Sequence, residues 1–305
     1  YLARGNRHRW RMTDQTKGLL LTFLGVMCIV PEALFVRVID APMLTLAFWK
    51  VTLVGMAIGA GLLLAQGTAP FRALSRAGWA SAIYIGGVAC AGVGFVLAVR
   101  LTSVANVVFI LASLPVFAAI YSRVFLGEPI SRRMFFTIAA VLAGLAVIAF
   151  GSGETENASR TGDLLALSIS AIFAGALTAA RHARAVSMVP AVALAYLLAG
   201  AVLLPVAQPL HMPTAELPQI LLYAAFMAAS AGLIALGPRY ISSAEVGLLV
   251  LLESVLAPLL VWAVLGEDPG IYALIGGGIV VGALFLSNLI ALSRRRRVVP
   301  PLPRH

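Results

Sequence analysis

RLTSVANVVFILASLPVFAAIYSRVFLGE, residues 100–128, returns in altered form as RYISSAEVGLLVLLESVLAPLLVWAVLGE at residues 239–267. A shift of 139 positions lays Arg100, Ser103, Ala105, Ala118, Leu126, Gly127 and Glu128 on Arg239, Ser242, Ala244, Ala257, Leu265, Gly266 and Glu267. The same shift brings Tyr84 onto Tyr223, Ala89 onto Ala228 and Val141 onto Val280. Each copy is one long apolar run closed by Gly-Glu, so the duplicated object is a structural unit and not a short motif.

Working outward, the whole chain shares that apolar character. Hydrophobic residues make up 61% of it and charged residues 11%, where a soluble domain carries about 25% charged residues. Such a chain belongs in a lipid bilayer, and its 305 residues leave room for one membrane domain. Cys28 and Cys90 sit in apolar runs, read as small packing residues, and supply neither a disulfide framework nor a metal spacing. No catalytic residue, metal ligand set or cofactor motif is assigned. The net charge of +10 does not imply a nucleic-acid partner, because the basic residues lie in short segments between apolar runs and at the two ends.

Crossing the hydrocarbon takes about 20 apolar residues. Ten such spans are expected, at 18–39, 43–65, 77–99, 103–122, 133–150, 163–182, 189–207, 218–237, 243–264 and 271–292. Residues 1–17 form a basic N-terminal segment, 18–150 a first five-helix repeat, 151–162 a polar linker, 163–292 a second five-helix repeat, and 293–305 a basic tail. With the N-terminus in the cytoplasm, all but four of the 22 Lys and Arg residues fall on the cytoplasmic side. Arg37, Arg100 and Arg160 fall on the other side and Lys50 lies within a span. That asymmetry places both termini in the cytoplasm. No signal-peptide cleavage pattern precedes the first span, and the start RGNRHRWR and the late RRRR read as retained cytoplasmic anchors.

Five spans per half is an odd number, so the second half enters the membrane from the opposite side. The expected fold is an all-α membrane protein of ten transmembrane helices, built as two inverted five-helix repeats around a central cavity. Inverted repeats of this kind are a signature of secondary transporters, whose site lies between the halves.

The segment TSVANVVFILASLPVFAAIYSRVFLGEPIS resembles the fourth span of the drug/metabolite transporter superfamily, EamA type. SSAEVGLLVLLESVLAPLLVWAVLGEDP resembles its ninth span, and LAFWKVTLVG its second, with Lys50 where an arginine is usual. The resemblance runs from about residue 17 to residue 292. One departure is local: the family often reads Glu-Pro in the ninth span, whereas Glu253 is followed by Ser254 and the proline comes later, at Pro258. The resemblance implies a multi-pass exporter of small metabolites, commonly amino acids, in the bacterial inner membrane. It also implies a central cavity lined by helices 1, 3, 4, 6, 8 and 9, with the fifth and tenth helices closing each half.

Ionisable residues inside spans are costly, roughly 2.5–3.5 kcal/mol at a helix centre on insertion scales. At a rise of about 1.5 Å per residue, Glu253 sits about 15 Å from the cytoplasmic end, near the midplane. Glu32 and Lys50 each sit about 10 Å from the outer end of neighbouring spans. Two readings stand for that pair: an ion pair tying two helices together, or charges that meet the ammonium and carboxylate of an amino acid. Lys50 can also snorkel toward the interface. Glu32 follows Pro31, whose missing N–H leaves a backbone carbonyl free, and broken helices are where transporters bind solutes. Glu253 is a candidate proton-coupling group, the alternative being a hydrogen-bonded structural glutamate. Glu128 and Glu267 read as structural, capping or pairing at helix ends.

Tyr84 and its mate Tyr223 lie toward opposite mouths, suiting gates or aromatic walls; the interfacial aromatic belt is the alternative. Asn106, Phe109 and Ser113 are candidate cavity residues, since Asn106 and Ser113 are seven apart and share a helix face. Gly55–Gly59 and Gly278–Gly282 have the spacing of close helix packing, and the expected unit is a monomer. Pro115, Pro205 and Pro258 are expected to bend their spans.

The chain thus reads as a secondary transporter with a small-molecule substrate, the bilayer as its surroundings and no nucleic-acid partner. Its few polar and aromatic groups suit amphipathic solutes of moderate size, and no arginine cluster for phosphate lies within the spans. Among the branches of the family it resembles, an exporter of aromatic or hydrophobic amino acids is the preferred reading. A multidrug or other metabolite exporter, or a channel-like facilitator, are the alternatives. An intramembrane enzyme has no support, as neither HExxH nor GxSxG occurs.

Overall fold

The computed structural model describes residues 14–127, 129–151, 157–183, 185–236, 240 and 243–298. The basic N-terminal segment up to residue 13, Glu128, most of the linker, Arg184, Arg239, Ser242 and the tail from residue 299 lie outside the described residues. The side chains of Arg294 to Arg297 are likewise not described.

Among the described residues the chain is helical and carries no strand. The first half comprises α1 (Asp14–Ile29), α2 (Glu32–Val38), α3 (Met43–Gln66), α4 (Ala69–Ala73), α5 (Trp79–Leu101), α6 (Val104–Leu111), α7 (Leu114–Leu126) and α8 (Arg132–Phe150). The second half comprises α9 (Arg160–His182), α10 (Val189–Ala207), α11 (Leu217–Leu236), α12 (Ser243–Leu265) and α13 (Ile271–Val298). Among the described residues, nine stretches are long and apolar enough to cross a membrane, counting α1 with α2 and α6 with α7 as one each. The remaining expected span is α12, whose apolar stretch Leu249–Leu265 is shorter than the rest.

The expected first and fourth spans are each broken in two. Pro31 has no N–H to donate backward, so α1 ends at Ile29 and α2 restarts at Glu32. In the fourth span, Ser113 turns its hydroxyl onto the Ile110 carbonyl at 2.6 Å, and Pro115 opens α7, where its missing N–H is harmless. Pro205 and Pro258 lie inside continuous helices. The two copies of the opening motif therefore differ in local structure: the first is split into α6 and α7, the second runs unbroken as α12. What they share is their ending. Gly127 and Gly266 have φ of 68° and 69°, the left-handed conformation that closes a helix at low cost only for glycine.

The helices pack in pairs that repeat. α5 packs on α9, and α1 on α11; α10 packs on α5, and α3 on α11; α6 and α7 pack on α9, and α12 on α1. α3 meets α10, α8 meets α13 and α6 meets α12. Exchanging each element for its counterpart in the other half turns α5–α9 into α11–α1, α10–α5 into α3–α11 and the packing of α6 and α7 on α9 into that of α12 on α1, and leaves α3–α10, α8–α13 and α6–α12 unchanged. The α8–α13 contact is a backbone-to-backbone one: a Cβ on Gly144 would lie 2.7 Å from the Gly276 carbonyl oxygen. Gly55 lies against Leu197 and Tyr196 of α10, as its spacing suggests. A Cβ added at Gly278 or Gly282 would meet nothing within 4 Å, so among the described residues that second pair packs against no helix. The main core joins α2, α3, α5, α6, α9, α11 and α12, with single residues from α8 and α13, while large apolar side chains such as Leu64, Phe125, Phe136 and Phe150 point outward, as lipid-facing positions do.

Candidate functional site

The break at Pro31 sets the first turn of α2 inside the bundle. Glu32 is its first residue and is buried. Lys50, in the first half of α3, is 2% exposed. Its Nζ lies 2.6 Å from Glu32 Oε1 and donates to the Gly92 carbonyl of α5 at 3.1 Å. The ammonium also stands 5.1 Å from the Phe95 ring centroid and 5.9 Å from that of Tyr223, within range of cation–π attraction. Lys50 thus points inward and does not snorkel. Gly92 is required where it is, since a Cβ there would lie 2.6 Å from the Tyr196 ring.

Tyr223 closes the cluster from the second half. It is fully buried, its hydroxyl donates to Glu32 Oε1 at 3.2 Å, and its ring stacks on Phe35 with centroids 5.3 Å apart. Full burial sets aside the interfacial belt for this residue. The result is an ammonium and a carboxylate held together by four helices, with three aromatic faces around them. Removing two charges from water costs several kcal/mol per ion unless geometry and extra hydrogen bonds offset it, and this cluster supplies both.

Glu253 is half-buried on α12, which packs on α1 and α2. Among the described residues Glu253 makes no hydrogen bond or ion pair. Tyr84 lies apart. It is buried in a smaller cluster with Leu74, Val88, Ala176, Ala191 and Ala195, linked to the ion pair through Tyr196, whose ring packs on both clusters.

Asn106 and Ser113 do share a face, and it faces α9. Asn106 Nδ2 donates to both Asp163 oxygens at 3.1 and 3.0 Å, and the Ser113 hydroxyl lies 3.3 Å from that of Ser170. Donors and partners are both seven apart, so the α6–α7 span and α9 run in the same direction. The polar atoms of Asn106 and Ser113 are engaged in this helix–helix seam. Phe109 turns the other way. Its ring packs on Gly277 and lines an apolar cavity of about 420 Å³ with Val255, Pro258, Leu259 and Phe285.

Several residues that sequence patterns do not single out form a second polar cluster at the ends of α2, α5 and α6. Thr102 donates to Asp163 Oδ1 at 2.7 Å and accepts from the Ser159 N–H at 2.9 Å. Arg100 donates to the Ile39 carbonyl at 2.6 Å. Arg37 donates to the Thr102 carbonyl at 2.8 Å and to Glu267 Oε1 at 3.0 Å. Glu267 also accepts from the Val104 N–H at 2.8 Å, capping α6. One signal for this cluster is in the sequence: Arg37 and Arg100 are two of the three basic residues assigned to the sparsely charged side.

A family model for EamA-like transporters matches residues 16–150 and 160–289, covering both halves. The chain belongs to the EamA-like transporter family. It is therefore a multi-pass membrane transporter of the drug/metabolite superfamily, as the fourth- and ninth-span motifs lead one to expect. No curated protein is similar enough in sequence to count as a relative. A solved crystal structure superposes on this transporter with a TM-score of 0.61 at 20% identity, covering 92% of this chain and 99% of the other. That likeness concerns the fold alone.

Proposed function

We propose that this transporter exports amino acids with aromatic or hydrophobic side chains across the bacterial inner membrane by alternating access. In this reading ten helices form two inverted five-helix halves, both termini are cytoplasmic, and the monomer is the working unit. The exchange of packing partners between the halves supports the inverted repeat, and the charge asymmetry of the loops supports the orientation.

The observation that carries the substrate class is the buried Lys50–Glu32 pair under Tyr223. An amino acid presents the same two charges. Its ammonium can take Glu32 from Lys50, and its carboxylate can take Lys50 from Glu32, so both protein charges stay paired while the solute is bound. Phe35, Phe95 and Tyr223 provide aromatic surface for an apolar side chain. Glu253, which makes no hydrogen bond or ion pair among the described residues, is the proton-coupling group.

Screening uptake of labelled amino acids into proteoliposomes, with and without a pH gradient, tests the proposal. Movement of aromatic or large apolar amino acids is expected. Transport of another metabolite class, with no amino acid moving, overturns it. A second reading, export of larger apolar solutes, is favoured by the cavity lined by Phe109 and Pro258, and inhibition of amino-acid uptake by apolar cations would speak for it.

A further inference from the structure

Helix α2 has seven residues and is engaged at both ends. At its start Glu32 holds Lys50 of α3 and Tyr223 of α11. Near its end Arg37 holds Glu267, beyond the end of α12, and the Thr102 carbonyl, at the end of α5. The Arg37–Glu267 pair is close, with Nε 2.9 Å from Oε2, and the two side chains are only 17% and 8% exposed. Glu267 also caps α6, and Arg100 holds the Ile39 carbonyl just past α2. These bonds draw the termini of α2, α5 and α6 from the first half against the end of α12 from the second. All are at the side to which Arg37 and Arg100 are assigned, the outer one.

We propose that Arg37 and Glu267 are the outer latch of the transport cycle, and that α2 is the lever connecting it to the solute site. The proposal rests on the alternating-access reading above. A contact that joins the halves at one mouth only must break when that mouth opens. The pair is well placed for this: its attraction is strong while shielded, and water entering the mouth weakens it. The lever follows from covalent geometry. Pro31 frees α2 from the hydrogen-bond ladder of α1, so α2 can tilt as a short rigid body. When a solute ammonium takes Glu32 away from Lys50, the α2 start shifts and the Arg37 guanidinium shifts with it. The unbroken α9 offers no such lever in the second half. Glu128, the repeat mate of Glu267, lies outside the described residues, and the latch is assigned to one mouth alone.

Two measurements on the full chain test this. Ala33 of α2 is 1% exposed; a cysteine there (A33C), with Cys28 and Cys90 replaced by serine, reports opening through its rate of reaction with a membrane-impermeant maleimide added outside whole cells. Arg37→Ala and Glu267→Gln are expected to react about tenfold faster, the population change that about 1.4 kcal/mol of lost closed-state stability produces. The exchanged double variant R37E/E267R is expected to return toward the parent rate. Equal rates in the parent and both single variants overturn the latch. If the single variants do not fold, R37C/E267C joined by a short bismaleimide decides: cross-linked protein is expected to lose counterflow that the same protein shows before cross-linking, and counterflow persisting after cross-linking overturns the proposal. If no amino acid moves in any variant, the transport reading fails while the labelling rates still judge the latch.

Discussion

Tyr223 and Glu32, 191 positions apart, share a hydrogen bond of 3.2 Å that crosses from the second half of the chain to the first. The oxygen that accepts it is the one 2.6 Å from the Lys50 ammonium. One carboxylate oxygen thus holds three helices, α2, α3 and α11. Its partners come from both halves, so a change at any of them is felt across the bundle.

Removing one member of the pair leaves the other buried and uncompensated. Lys50→Met or Glu32→Leu is expected to destabilise the protein by about 3–5 kcal/mol. The double variant, apolar on both sides, is expected to recover most of that loss because no orphan charge remains. Thermal unfolding in detergent measures stability, and all three variants are expected to lose amino-acid transport. Additive losses in the double variant would show that the two residues do not act as a pair.

Tyr223→Phe keeps the stack on Phe35 and deletes only the hydroxyl bound to Glu32. A hydrogen bond to a charged acceptor contributes about 1.5–3 kcal/mol, so a clear fall in melting temperature is expected. Tyr84→Phe, whose hydroxyl makes no hydrogen bond seen among the described residues, is expected to change it little. The reverse order would place the structural weight on the wrong tyrosine.

The glycines separate in the same way. Gly144→Ala forces a methyl group toward the Gly276 carbonyl oxygen, and overpacking of this sort costs roughly 1–3 kcal/mol. Gly278→Ala meets open space and is expected to be neutral or slightly stabilising through helix propensity. Melting temperatures of the two variants, measured side by side, check both statements.

Glu253→Gln is expected to leave transport running but without a response to the pH gradient. Initial uptake rates into proteoliposomes at several gradients measure this. A full pH response in the variant would remove Glu253 from the coupling role.

Much of this is legible in the sequence because the bilayer allows so few solutions. Long apolar runs have to be helices, and α10, for example, occupies 189–207 as expected. The Lys50–Glu32 contact follows from matching depth on adjacent spans. The breaks are harder to read. The first and fourth spans break, at Pro31 and just before Pro115, whereas Pro205 and Pro258 lie inside continuous helices. At the fourth-span break the Ser113 hydroxyl binds the Ile110 carbonyl, a local bond that hydropathy does not carry. Helical spacing puts Asn106 and Ser113 on one face, but which neighbour that face meets depends on tertiary packing. Asp163, Thr102 and Arg37 are hidden for a related reason: each sits at a helix end, where polar residues are common, and only the fold brings those ends together.

The central claim is that the Lys50–Glu32 pair reads an amino acid in a carrier that alternates. Counterflow of labelled phenylalanine into proteoliposomes preloaded with unlabelled phenylalanine tests it most directly. Accelerated entry is predicted for the native chain and none for Glu32→Gln or Lys50→Met. Entry that is indifferent to the unlabelled pool, or that survives both substitutions, would contradict it.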